Sequence, residues 1–273
     1  IVDHTKFSQA SIYTLVSSEQ HLETKHHRVK IQTMFPSRLN ALFASNRQVR
    51  RKKIFDHRYI IAIAPVCMRY MSKKIKQSHP NKIVISSFAI AKNIDIANIP
   101  TTLYLHSPMQ YIRTHADEYK KKIQWIQWRL RTSIVPYLQK RDKKYTTFDK
   151  VYANSKYTAQ TAKDIYSIDS TVVYPQINET FYNQQISTLP QAYYVYIGRL
   201  VRFVKELDRI ILANNTLWFP LIIIGSGPDE QYLKKLAQDN VIFIPRTSPE
   251  QYIKILKDAK GLINITKESF GIV

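Results

Sequence analysis

The second half of the chain alternates short apolar runs rich in Ile, Val and aromatic residues with amphipathic stretches of helical period. That alternation predicts an α/β fold with a parallel, doubly wound sheet. Ligands of such sheets bind beyond the carboxyl ends of the strands. The predicted strands are Tyr193–Ile197, Leu221–Ile224, Val241–Ile244 and Gly261–Ile265, and the predicted helices are Lys205–Ala213, Asp229–Ala237 and Pro249–Ala259.

The first half contains strand and helix patterns but no glycine. A polar, aperiodic stretch at 176–191 predicts a linker, so we predict an N-terminal domain at 1–175 and a C-terminal domain at 192–273. Ser155 is predicted to be the N-cap of a helix. The predicted strands are Ala10–Val16, Lys82–Ser87, Thr101–His106, Lys150–Ala153 and Ser170–Tyr174, and the predicted helices are Tyr59–Lys76, about 116–140 and Lys156–Tyr166.

Composition limits the classes of protein to consider. The single cysteine excludes an intrachain disulfide, and no apolar stretch approaches the roughly 20 residues that span a bilayer. Lys and Arg number 41 against 20 Asp and Glu, which gives a net charge of +21. This excess favours polyanionic partners, such as nucleic acid, anionic lipid or phosphate-bearing substrates. A biased composition rich in Ile, Asn and Lys explains the charge equally well.

The five glycines of the chain all lie in its second half, and most follow predicted strands. Glycines at strand ends indicate either close approach of the backbone to a ligand or turns with positive φ. Gly225 and Gly227 form a Gly-x-Gly turn before Pro228, which we place at the first position of a helix. A helix N-terminus of this kind suits a diphosphate, although the third glycine of the dinucleotide-binding fingerprint is missing.

Four charged or titratable side chains follow strands and are the candidate catalytic residues. Arg199 and Lys205 suit the charge of a leaving diphosphate, or they are two solvated cations in a basic protein. Glu268 suits sugar hydroxyls, or it is an acid near the start of a helix. His106 suits a base or a ligand of a substrate oxygen, and a structural role fits it equally well.

Taken in order, the motifs resemble the GT-B glycosyltransferases of family 4, also called group 1. The motifs of the donor-binding half are Y-x-G-R-L-V…K-x-x-D, L-I-I-I-G-x-G-P, N-V-I-F…R and E-x-F-G-I-V. In the first half, IYTLV, KIVISS, LHSPMQY and VYANSKYTAQ…STVVYP resemble mannosyltransferase-like enzymes of O-antigen, capsule and exopolysaccharide synthesis. The resemblance covers nearly the whole chain and implies two Rossmann-like domains that face each other across a cleft.

The resemblance also implies roles for individual residues. Arg199 and Lys205 are expected at the donor diphosphate, Arg246 near the nucleotide base, and Glu268 on hydroxyls of the donor sugar. His106 is expected in the acceptor half, facing the reacting sugar. The other donor-binding residues that it implies are Gly198, Gly225, Gly227, Phe270, Gly271 and Ile272.

The chain departs from the family pattern at several positions. Val204 stands where a basic residue is usual, and Lys205 follows one position late. Pro245 replaces a usual glycine, and Gln110 replaces a usual arginine. The second glutamate of the family's E-x7-E motif would fall beyond Val273. We therefore expect a fragment that is truncated at both ends and inactive by itself.

The resemblance implies a metal-independent hexosyltransferase that retains the anomeric configuration and needs no cofactor. Its expected donor is GDP-mannose or a UDP-sugar, and its expected acceptor is a glycan or a lipid-linked oligosaccharide. We expect it in the cytoplasm, or on the inner face of the cell membrane, where Arg47–Lys53 and Lys120–Lys122 would contact anionic lipid. The alternatives are an inactive sugar-nucleotide-binding paralogue and a basic nucleic-acid-binding protein, although no zinc spacing or recognition helix supports the latter.

Overall fold

A computed structural model describes residues 10–14, 17, 21–23, 28–33, 60–88, 90–96, 98–109, 112–113, 135–177, 193–266, 268–271 and 273. The chain divides into two compact units between Val172 and Val173. Each unit contains a parallel sheet and helices, which confirms the predicted α/β class. The predicted linker lies outside the described residues from position 178 on, so its bounds stay a prediction.

The described residues of the first unit form two sheets. Its strands are β1 Ser11–Thr14, β2 His21–Glu23, β3 Arg28–Thr33, β4 Ile83–Ser87, β5 Thr101–Leu105, β6 Lys150–Ala153 and β7 Thr171–Val172, and its described helices are α1 Ile60–Gln77, α2 at 135–142 and α3 Lys156–Tyr166. The small sheet has the order β1-β3-β2, with β1 parallel and β2 antiparallel to β3. The larger sheet has the order β4-β5-β6-β7 and is parallel throughout.

The core of the first unit lies against one face of the larger sheet. Ile83 and Ile85 of β4 and Leu103 and Leu105 of β5 are buried, and they alternate with more exposed residues. That period of two is expected for strands with one well-packed face. The predicted N-cap of α3 is confirmed, because Ser155 Oγ accepts a hydrogen bond from the backbone N–H of Thr158 at 3.1 Å.

The described residues of the second unit form one parallel sheet of four strands. Its strands are β8 Tyr193–Ile197, β9 Leu221–Ile224, β10 Val241–Ile244 and β11 Ala259–Leu262, and its helices are α4 Arg202–Lys205, α5 Leu207–Leu217, α6 Glu230–Leu236 and α7 Pro249–Lys257. The strand order is β10-β9-β8-β11. Its core is built from apolar residues of the central strands, α5 and α6, namely Tyr196, Leu200, Leu207, Ile210, Ile211, Leu221, Ile223 and Leu233.

Several predicted bounds in the second unit are wrong. The helix expected from Lys205 is interrupted, because Glu206 adopts a left-handed conformation (φ 47°) between α4 and α5. Pro228 does not occupy the first helical position, since α6 begins at Glu230 with Asp229 as its N-cap. The strand expected at Gly261–Ile265 lies earlier, because Ala259 already pairs with β8.

A buried polar network joins α2, α3 and the segments that follow β4 and β5. Lys92 and Asp142 are fully buried and form an ion pair at 3.1 Å. Asp142 Oδ2 accepts hydrogen bonds from the hydroxyl of Tyr166 at 2.7 Å and from Arg113 Nε at 3.4 Å. Lys92 Nζ also donates to Asn93 Oδ1 at 2.9 Å. Burial lowers the pKa of Lys92, and the charge of Asp142 opposes that shift.

We predict that Asp142→Ala destabilises the first unit by about 3–5 kcal/mol, because it leaves the buried Lys92 charge uncompensated. Native-state hydrogen exchange is the appropriate measurement, since amides of β5 report on the first unit and amides of β9 on the second. The matched control is Asp164→Ala, which removes an exposed carboxylate of α3 that accepts a hydrogen bond from the Gln160 side chain. Equal losses in the two variants would show that the network does not stabilise the unit.

Candidate functional site

The strand order of the second unit defines where a ligand can bind. Strand β8 lies between β9 and β11, and the chain reaches β9 and β10 on one side before it returns to the other side at β11. The order therefore reverses between β8 and β11. In open parallel sheets, ligands bind beyond the carboxyl ends of the strands at such a reversal.

The loops that follow β8 and β9 are tied together by their backbones. Gly198 N donates to Ile224 O at 3.0 Å, and Leu200 N donates to Ser226 O at 3.1 Å. The parallel pairing thus continues past the ends of both strands. Asp229 adds a side-chain contact, since its Oδ2 accepts from the backbone N–H of Arg202 at 3.0 Å.

This backbone contact explains the Gly-x-Gly sequence. A Cβ atom at Gly225 would lie 1.9 Å from the carbonyl oxygen of Gly198, and one at Gly227 would lie 2.2 Å from that of Leu200. Gly225 also has a positive φ of 153°. The neighbour that requires these two glycines is therefore the adjacent loop of the same unit. A ligand is not needed to explain them.

An ion pair joins the two sides of the strand-order reversal. Lys205 Nζ, at the end of α4, donates to Glu268 Oε1 in the segment after β11. Each of these side chains is 26% exposed, so both the cation and the carboxylate remain accessible to a ligand. The structure thus brings together two residues that were singled out separately in the sequence.

Tyr196, the first residue of the Y-x-G-R-L-V motif, lies near Glu268 and was assigned no role from the sequence. Its ring packs against Gly198, where an added Cβ would lie 2.8 Å from the Tyr196 hydroxyl oxygen. Burial raises the pKa of Tyr196 to about 12, with a further contribution from the charge of Glu268. The hydroxyl therefore stays protonated near Glu268 at neutral pH. Because its position in an apolar strand is typical of a core residue, no role could be assigned to it from the sequence.

The segment after β11 folds back around Glu268. Gly271 has φ 73°, and an added Cβ there would lie 3.6 Å from Glu268 Oε2. The ring of Phe270 packs against that of Tyr174 with centroids 5.9 Å apart. Ile272 lies outside the described residues, as does Gln110 in the first unit.

The remaining predicted cations are exposed. Arg199 directly follows Gly198, and Arg246 lies two residues after β10. Neither side chain forms an ion pair or hydrogen bond with the described residues. Both guanidinium groups are therefore available to a ligand at the carboxyl edge of the sheet.

His106 belongs to the first unit and lies directly after β5. Its Nε2 is hydrogen-bonded to Ser86 Oγ at 2.8 Å, and its ring contacts that of Tyr104 edge-on with centroids 4.9 Å apart. Burial lowers the pKa of His106, so the imidazole is neutral at pH 7. A neutral ring can both donate and accept a hydrogen bond.

No protein-family model matches the chain, and neither does any curated protein sequence. Among solved structures, an S. aureus TarM variant in complex with fondaparinux, α-GlcNAc-glycerol and UDP is 14% identical, covering 65% of this chain and 34% of TarM, with a TM-score of 0.43. Anabaena HepE in complex with UDP and glucose is 15% identical, covering 74% and 58%, with a TM-score of 0.45.

A third similar structure, UDP-N-acetylglucosamine 2-epimerase from Rickettsia bellii, is 13% identical, covering 93% of this chain and 73% of the epimerase, with a TM-score of 0.46. The chain spans less than two thirds of TarM and of HepE. Similarities at these identities and TM-scores do not select an activity. A function therefore has to be inferred from the site residues.

Two further observations concern the described residues alone. None of their helices is long and apolar enough to cross a membrane. No group of three or more His, Cys, Asp or Glu side chains among them is arranged so that it could hold a metal ion.

We predict that Gly227→Ala destabilises the second unit by about 1–3 kcal/mol or more, the range for overpacking a tight site. The added methyl would collide with backbone that is already hydrogen-bonded to the neighbouring loop. Hydrogen exchange of amides in β8 and β9 measures the loss. Gly261→Ala is the matched control, because its Cβ would meet only the Tyr194 ring at 3.6 Å. A Gly227→Ala protein as stable as Gly261→Ala would contradict the described packing.

Proposed function

We propose that the chain is part of a GT-B glycosyltransferase that moves a hexose from a nucleoside-diphosphate sugar to a glycan or lipid-linked acceptor. The observation that carries this proposal is the accessible Lys205–Glu268 pair at the strand-order reversal of the second unit. The order of the sequence motifs supports it independently, because each motif falls at a carboxyl strand end of that sheet.

The pairing of a cation with a carboxylate matches the chemistry of the proposed donor. A nucleoside-diphosphate sugar carries negative phosphates directly next to a neutral sugar with hydroxyl donors. In our proposal, Lys205 binds the diphosphate and Glu268 accepts hydrogen bonds from the sugar. In the free protein each side chain neutralises the other, so both are held in place before the donor arrives.

Arg199 supplies the second charge for the leaving diphosphate. Its guanidinium group follows β8, is exposed, and can bind two phosphate oxygens at once. Transfer develops negative charge on the leaving diphosphate, and positioned cations stabilise that charge without a proton transfer. We propose transfer without a metal, because Arg199 and Lys205 fill the electrostatic role that a metal would otherwise take. We propose retention of the anomeric configuration on the family resemblance alone.

Other residues position the two substrates. Arg246, after β10, is our candidate for contacts near the nucleotide base, and the backbone N–H groups of residues 270–272 are our candidates for the sugar and phosphate. In the first unit, the neutral imidazole of His106 is our candidate for binding a sugar hydroxyl. GDP-mannose is the first donor to test, followed by UDP-sugars, and the choice between them depends on the family resemblance alone.

We further propose that the protein works at the cytoplasmic face of an anionic membrane, where lipid-linked acceptors lie. The basic sequences Arg47–Lys53 and Lys120–Lys122 support this proposal through their charge. Both lie outside the described residues. The net charge favours the nucleic-acid alternative, but no contact or element among the described residues supports it.

We predict that Arg199→Ala and Lys205→Ala each reduce turnover about a hundredfold, because removing one transition-state contact costs about 2.7–4 kcal/mol. Turnover should be measured with the full reading frame that contains this chain, and donor binding by calorimetry with GDP-mannose and UDP-glucose.

Lys235→Ala is the matched control, since it removes an exposed lysine from α6 and should leave turnover unchanged. Restoration of the Lys205→Ala protein by Val204→Lys would show that the assigned register is shifted by one residue. A folded protein that binds donor but transfers no sugar would be the inactive paralogue. Absence of binding to any nucleotide sugar would refute the proposed function.

A further inference from the structure

The first unit contains a basic pocket that the proposed sugar transfer does not use. Its volume is about 600 Å³, within the range of small-molecule sites. Its cationic lining residues come from the C-terminal half of α1 and from the end of α2 with the turn that follows, and they are Arg69, Lys73, Lys76, Arg141 and Lys144. We refer to the cavity that these five residues line as the basic pocket.

The basic pocket lies away from the edge of the sheet where His106 lies. Helix α1 leads into the amino end of β4, and residues 141–145 lead into the amino end of β6. His106 follows the carboxyl end of β5. Because the strands of this sheet are parallel, the two locations belong to opposite edges. The pocket is therefore not a part of the carboxyl-edge site.

The charged residues that line the pocket are predominantly cations. Five cations and one acid, Asp95, line it. Over the whole chain, Lys and Arg outnumber Asp and Glu only by 41 to 20. Asp95 lies 3.5 Å from Lys76 Nζ and so offsets a single cation.

The other cations line the pocket without a carboxylate partner among the described residues. Arg69 and Lys73 lie four residues apart on one face of α1, where like charges repel each other. Arg141 Nη2 donates to the Tyr145 hydroxyl at 3.3 Å, and Lys144 Nζ lies 5.5 Å from the centroid of the same ring. Among the described residues, neither Arg69, Lys73, Arg141 nor Lys144 forms an ion pair. An anion in the pocket would relieve this repulsion.

We propose that the basic pocket binds a ligand with two or more clustered phosphate groups. The cations project from two separate segments around a concave volume that is larger than one phosphate requires. Two arginines supply planar donor pairs that match phosphate oxygens, and the lysines supply compact charges. Two sources carry this chemistry, a phosphorylated lipid headgroup and a soluble polyphosphate.

The test compares two probes on the same protein. Inorganic tripolyphosphate is titrated by calorimetry, and phosphatidylcholine vesicles that contain phosphatidylinositol bisphosphate are used in cosedimentation. We expect the triple variant Arg69→Gln, Lys73→Gln, Lys144→Gln to bind at least one probe ten times more weakly than the unchanged protein. Loss for tripolyphosphate alone identifies a soluble ligand, and loss for vesicles alone identifies a lipid headgroup.

The matched control removes three exposed lysines from other helices, in the triple variant Lys156→Gln, Lys235→Gln, Lys254→Gln. It has the same net charge as the test variant and should bind within twofold of the unchanged protein. Equal weakening in the two variants would reduce the effect to net charge and overturn the proposal. Absence of binding to either probe, or tighter binding to duplex DNA than to both probes, would also overturn the proposal. Donor binding should be unaffected in all variants, so failure here leaves the proposed function standing.

Discussion

The parallel pairing of β11 with β8 is the constraint on which the second unit depends. Ala259 pairs with Tyr193 and Leu262 with Val195, and the N–H of Ile263 extends the pairing by donating to Val195 O at 2.8 Å. Since β9 already occupies the other side of β8, residues after β11 must emerge beside those after β8. Lys205 and Glu268 therefore meet although 63 positions separate them in the sequence.

The Lys92–Asp142 and Lys205–Glu268 ion pairs differ in how much of their side chains is exposed. Lys92 and Asp142 are fully buried, and the groups around them fill their hydrogen-bonding positions. Breaking such a pair costs free energy, and neither side chain is accessible to a ligand. Lys205 and Glu268 keep about a quarter of their side-chain surface exposed. A ligand can therefore replace the contact between Lys205 and Glu268 with contacts of its own, and no buried charge loses its partner.

Much of the fold could be predicted because the central strands are short and continuously apolar. LIII at Leu221–Ile224, the central strand β9, has the bounds that the pattern predicts, as expected for a strand covered on both faces. VIFI at Val241–Ile244 also has the predicted bounds, although it is an edge strand in which Ile242 is exposed. The prediction for β11 was wrong because its sequence, AKGL, has little apolar character of its own, and pairing with β8 sets its position. Tertiary contacts decide such cases, and a single sequence does not show them.

The site was predictable in its residue types but not in its contacts. Charged residues and glycines after strands marked the carboxyl edge, since that edge follows from strand direction alone. The partner of Gly225 and Gly227 could not be predicted, because it is the backbone of the loop after β8. The environments of Tyr196 and Lys92 could not be predicted for a similar reason, as each is distinguished only by what surrounds it after folding.

The most direct test of the central claim is hydrogen–deuterium exchange with and without a nucleotide sugar. GDP-mannose and UDP-glucose should each be added at saturating concentration, and peptides from the whole chain followed. A donor that occupies the strand-order reversal should slow exchange in the segments 198–206 and 263–271, with amides in β10 and α7 unchanged. Protection confined to the first unit, or protection of α7 without either segment, would contradict the assignment of this site.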